Sequence, residues 1–94
     1  MQVKARLVEE PAKAGQLQTS AFRSWDFEVA ALMLFRADSY EPALVVLAPV
    51  AVVEEHSRFR KHVNGHVVFI RPPLTTAAGV DDITPAVVTA HHRS

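Results

Sequence analysis

The residues whose types and spacing best suit chemistry stand in the stretch MQVKAR, where Gln2 and Lys4 are separated by one position. In an extended strand alternate side chains share a face, so Gln2, Lys4 and Arg6 project together while Val3, Ala5 and Leu7 project the other way. Metal-dependent phosphodiester cleavage needs oxygen ligands for Mg²⁺. It also needs a lysine beside the attacking water, to orient it and offset the negative charge of the transition state. A ligand and a lysine two residues apart on one strand meet that requirement, with Gln2 as the metal ligand and Lys4 as the catalytic cation. The same three residues equally describe an ordinary polar strand face. As a neutral amide, Gln2 is also a weaker ligand for a hard cation than a carboxylate is.

A second set lies between Arg58 and Arg71, where Arg58, Arg60, Lys61 and Arg71 stand with His62 and His66 and no acidic residue intervenes. Clustered cations of this kind position a protein on nucleic-acid phosphates without reading sequence. They are also what the C-terminal end of a helix favours electrostatically, so both readings stand. Arg6 is a further candidate phosphate contact, and so are Arg23 and Ser24, in TSAFRSWD. Trp25 and Phe27 beside them are expected to anchor the core rather than to stack on bases. The histidines at 56, 62, 66, 91 and 92 lack the spacing of a zinc site, and structural or solvated roles are expected for them.

These residues belong to a chain of 94 residues, short enough for one small domain. Ten basic residues balance ten acidic ones and 49% of the chain is hydrophobic, which excludes a disordered acidic chain and a uniformly basic nucleic-acid binder. Any electropositive surface is therefore local. The absence of cysteine removes disulfides, thiolate metal sites and cysteine nucleophiles. The start lacks the apolar core of a signal peptide and no apolar run is long enough to cross a bilayer, so no membrane partner is expected and the cytoplasm is the expected location.

The elements that must hold these residues follow from periodicity. Residues 2–8 read as a strand, followed by a flexible polar loop over about 9–21 that contains Pro11 and Gly15. The apolar run Val29–Phe35 and the run Ala43–Pro49 read as two central strands joined as an antiparallel hairpin. Beyond Pro49, the positions Val52, Val53, His56, Phe59 and Val63 recur at helical spacing, which predicts a helix closed by Asn64 and Gly65. His66–Ile70 then supplies another strand. Asn-Gly flanked by HV on both sides is also a hairpin signal; the helix is preferred because its apolar spacing leaves no room for a preceding strand. Thr84 followed by Pro85 starts a short last helix reaching about His92, within a loosely ordered tail from about 75 to 94.

Beyond these local signals, the succession QVKAR, a polar loop, FRSWDFEVAALMLF, a turn, LAPVAVVEEHSRF and HVNG resembles the C-terminal part of bacterial proteins of the PD-(D/E)XK, restriction-endonuclease-like superfamily. The resemblance covers roughly Gln2 to Thr84. It implies an α/β fold, a small mixed sheet of about four strands with one main helix and a short C-terminal helix, as part of a restriction-endonuclease-like domain. Gln2-Val3-Lys4 matches the second half of the superfamily signature, an aspartate on one strand followed by (Asp/Glu/Gln)-x-Lys on the next. No aspartate strand precedes Gln2, and Asp26 and Glu28 lie on the wrong side of the lysine to replace it. The resemblance therefore implies a truncated or degenerate nuclease-like domain that keeps weak nucleic-acid affinity through Arg6, Arg23, Arg58, Arg60 and Lys61. Mg²⁺-dependent cleavage would need the missing segment. The alternative is a non-catalytic interaction module whose sheet is completed by a partner, either a second copy or a separate N-terminal chain.

Overall fold

The strongest apolar runs form the centre of the fold. The computed structural model describes residues 1–9 and 14–93. Strands β2 (Val29–Arg36) and β3 (Pro42–Pro49) make the expected antiparallel hairpin, with Ala30 opposite Ala48, Leu32 opposite Val46 and Leu34 opposite Leu44. Their connection closes through Tyr40, at φ 58°, and the bond from Arg36 N to Glu41 O. Strand β1 (Gln2–Val8) runs parallel to β2 along its whole length, from Gln2 against Ala30 to Val8 against Arg36. With a short strand at Asp81–Asp82 beside β3, the sheet is mixed and four-stranded, with β1 and Asp81–Asp82 at its edges.

One face of this sheet carries the core. Ala30, Leu32, Leu34, Val46 and Ala48 point into a cluster with Val53, Val68, Ile70, Leu74 and Phe22. Trp25 and Phe27 pack against that cluster as expected, and both stack on Phe22 with ring centroids 5.5 and 5.6 Å away. Across β3 lies α2 (Thr84–Arg93), the predicted last helix. It is tied down at its start, where Val45 N donates to Thr84 Oγ1 and Ile83 N donates to Val45 O. Among the described residues no helix is long and apolar enough to cross a membrane.

The region after Pro49 departs from the long predicted helix. Helix α1 covers only Val50–Glu55, and it is followed by β4 (Arg58–Arg60), a 3₁₀ turn at Lys61–Val63 and β5 (Gly65–Val67). Ser57 ends the helix, because its hydroxyl donates to Glu54 O at 2.7 Å and satisfies a carbonyl that a further turn would have used. Val53 is fully buried on α1, whereas Phe59 is 56% exposed on a strand; their helical spacing does not reflect a shared helix. The hairpin alternative holds in kind but not as a two-residue Asn-Gly turn, since Arg60 pairs with Gly65 and residues 61–64 make the connection. Asn64 adopts the left-handed conformation, φ 48° and ψ 52°, within the connection of a β4–β5 hairpin. The strand predicted over 66–70 is accordingly shorter, and it belongs to this second, two-stranded sheet rather than to the main one.

Part of the predicted loop over 9–21 lies outside the described residues, at 10–13. Its remainder forms a 3₁₀ turn at Ala14–Leu17 and then runs beside β5. Phe22 and His66 exchange both backbone hydrogen bonds, at 2.6 and 3.0 Å, and Thr19 N donates to Val68 O at 2.9 Å. The segment 18–22 thus extends the β4–β5 hairpin into a small second layer over the core.

Candidate nucleic-acid interface

Strand β1 alternates as its sequence requires, but its polar side does not face solvent. Gln2, Lys4 and Arg6 are half-buried, whereas Val3 and Leu7 are 54% and 47% exposed. The inversion has a specific cause: Lys4 and Arg6 reach across to the second layer and satisfy its outer edge. Lys4 Nζ donates to Ser20 Oγ and to Ala21 O, both at 3.0 Å, and lies 4.8 Å from the centroid of the Phe22 ring. Arg6 donates to Gln18 O at 2.6 Å. From the other side, Arg23 donates to Asn64 O at 3.0 Å and so joins this edge to the β4–β5 connection. Burial, and secondarily the Arg23 guanidinium, lower the pKa of Lys4 below the ordinary lysine value.

Gln2, Lys4, Ala21, Phe22, Arg23 and Ser24 line a recess of about 280 Å³. Its polar groups are an amide, two cations and a hydroxyl. That set does not fit Mg²⁺, which is held through carboxylates, and among the described residues no carboxylate lines the recess. More broadly, no group of three or more histidine, aspartate or glutamate side chains among the described residues could hold a metal. His91 and His92 stand side by side with rings 5.7 Å apart, and His92 meets Glu41 at 3.8 Å.

The basic run is divided between two places. Arg60 and Lys61 line an open depression with Gln18, Phe59 and His62, of about 820 Å³. Through Gln18, which accepts from Arg6, this depression adjoins the β1 edge. Arg58 instead lines a separate recess with Glu55, His56 and Arg71, so it does not join the others. Lys4 and Arg6 therefore meet on residues 18–21, Arg23 reaches from the same segment to Asn64, Arg60 and Lys61 lie next to them, and Arg58 stands apart.

His62 and Ser24, named beside the basic run and Arg23 in the sequence, line this surface, whereas Phe59, Gln18 and Ser20 complete it and were not among the sequence candidates. For Phe59 a signal existed: reading HVNGHV as a hairpin puts RFR on a strand, where alternation sets the ring off from its arginine neighbours. Ser20 and Gln18 join only through long-range pairing with β5 and β1, which no local pattern encodes.

Electrostatically, the hydrogen-bond acceptors of Lys4, Arg6 and Arg23 are hydroxyl or carbonyl oxygens, and no carboxylate among the described residues pairs with them. Neutral acceptors position a cation without cancelling its charge. The surface can thus attract and hold an anion, whereas it lacks the ligand set for metal-assisted hydrolysis. No protein-family model matches the chain, and no curated protein is significantly similar to it.

Proposed function

We propose that this is a nuclease-like domain that binds nucleic acid through backbone phosphates and does not cleave it. The observation that carries this reading is that Lys4 and Arg6 meet on residues 18–21 and Arg23 reaches from the same segment to Asn64, with no carboxylate partner among the described residues, and that this edge continues across Gln18 to Arg60 and Lys61. The resemblance to restriction-endonuclease-like proteins supports it, since Gln2 and Lys4 fall at the positions of that signature. Lys4 acts here chiefly as a positioning residue for the 20–21 backbone, and Arg60 and Lys61 are the phosphate contacts. The test is DNA binding across a salt series, with the fold of each variant checked by circular dichroism. Arg60→Ala and Lys61→Ala should each lower the slope of log K against log salt by about 0.9 for every phosphate that is no longer neutralised. No binding at low salt, or binding indifferent to Lys4→Ala and Arg60→Ala together, refutes the proposal.

A second reading rests on a different observation. Among the described residues β2 is the only strand partner of β1, and Val3 and Leu7 are exposed along that edge. A seven-residue edge without proline or bulge is a template for another strand, so the module could complete its sheet with a second copy or another chain. Light scattering at high concentration distinguishes the readings, and a strict monomer counts against self-pairing. The Mg²⁺ ligands that the resemblance calls for would likewise have to come from a strand added beside Gln2. That arrangement predicts Mg²⁺-dependent nicking, abolished by Lys4→Ala, only when such a strand is supplied.

A further inference from the structure

We propose that the nucleic acid taken by this surface is single-stranded, with a base stacked on the ring of Phe59 and the flanking phosphates on Arg60 and Lys61. The inference rests on the nucleic-acid reading above and specifies its ligand. Phe59 is 56% exposed in a paired strand, opposite His66. Its ring is held rather than loose: it meets the cross-strand ring of His66 edge-on at 5.4 Å and 69°, and His66 in turn lies 5.4 Å from Trp25. A fixed, exposed aromatic face is what base stacking requires, because a freely rotating ring would lose entropy on binding.

The surroundings match the other half of such a ligand. Arg60, Lys61 and His62 line one depression with Phe59, so two permanent cations border the same surface as the ring. Gln18 adds a side chain that both donates and accepts, suited to a base edge or a sugar hydroxyl. In a duplex the base faces are stacked on one another and the phosphates alone are offered; Phe59 would then contribute nothing. In a single strand a base can turn onto the ring while its phosphates stay on the cations.

The experiment measures binding of the whole chain, by fluorescence anisotropy at one low salt concentration, to labelled oligo-dT, to oligo-U and to a DNA duplex of the same length. Single strands should bind more tightly than the duplex. Phe59→Ala and Phe59→Leu should each weaken single-strand binding by about 5- to 100-fold, as expected for loss of one stacked base, with duplex binding unchanged. Phe59→Trp should retain it. The leucine variant keeps an apolar side chain in place, so equal losses in both variants point to the flat ring rather than to a damaged hairpin. Preference for the duplex, or single-strand affinity unchanged in Phe59→Leu, overturns this inference while leaving phosphate binding intact. Failure of every probe to bind overturns the nucleic-acid reading itself.

Discussion

Replacing Gly65 by alanine tests the arrangement on which the whole interface depends. A Cβ at this position would lie 2.8 Å from Ala21 Cβ and 3.0 Å from Phe22 O. The first distance is closer than real Cβ atoms come, and the second obstacle is backbone, which cannot swing aside as a side-chain tip can. Relief requires residues 21–22 to withdraw from β5, which strains the paired Phe22–His66 bonds and shifts the acceptor of Lys4 at Ala21 O. Overpacking of this kind costs about 1–3 kcal/mol. Weakening the two backbone bonds adds about 1 kcal/mol. The lower unfolded-state entropy of alanine offsets about 0.4–1 kcal/mol. The net expectation is a loss of about 2 kcal/mol, or a fall in Tm of about 8–16 °C for a domain of this size. Thermal unfolding followed by far-ultraviolet circular dichroism, with Trp25 fluorescence as a second probe, measures it. Gly15→Ala is the control, since nothing lies within 4 Å of a Cβ there. A Gly65→Ala Tm within about 2 °C of the control would show that segment 18–22 does not press on β5, and the described interface would be wrong.

Other perturbations probe the frame around the site. Leu32→Ala, at a fully buried position in the centre of the sheet, should destabilise by about 2–5 kcal/mol in urea titration. Thr84→Val removes the acceptor of Val45 N and should cost about 1 kcal/mol, with the loss of helical signal concentrated in α2. Asp82 accepts from the Thr84 hydroxyl and backbone N–H, and these bonds hold its pKa below the ordinary carboxylate value. A depressed folded-state pKa means that its stabilising contribution is present above the unfolded value and disappears as pH falls through the folded one. The Tm difference between the wild type and Asp82→Asn should therefore shrink on acidification. A difference independent of pH would remove Asp82 from the account.

The sheet was legible because its strands announce themselves in consecutive residues. Val29–Phe35 and Ala43–Pro49 are apolar runs flanked by turn residues, and their hairpin needs only a local reversal; Thr84-Pro85 marked α2 with equal locality. The β4–β5 hairpin was obscured because three-residue strands are too short to show alternation, while Val52, Val53, His56 and Phe59 happened to keep helical spacing across Ser57. On β1 the alternation showed that Gln2, Lys4 and Arg6 share a side. What lies against that side depends on a segment at residues 18–24 whose own partners are 66–69, and distances of that kind in sequence leave no local trace. Hence Lys4 could be found as a residue of interest but not as one engaged by Ser20 and Ala21.

The long reach of segment 18–22 also dictates an order of events. Thr19 must find Val68 and Phe22 must find His66, and Lys4 and Arg6 have nothing to grip until that has happened. The β2–β3 hairpin, by contrast, requires only the reversal at residues 37–41. Local contacts close before distant ones because the entropy lost in closing a loop grows with its length. During synthesis residues 18–22 would therefore emerge before their partners at 66–68, and the grip of Lys4 and Arg6 on them would form only after those partners had docked.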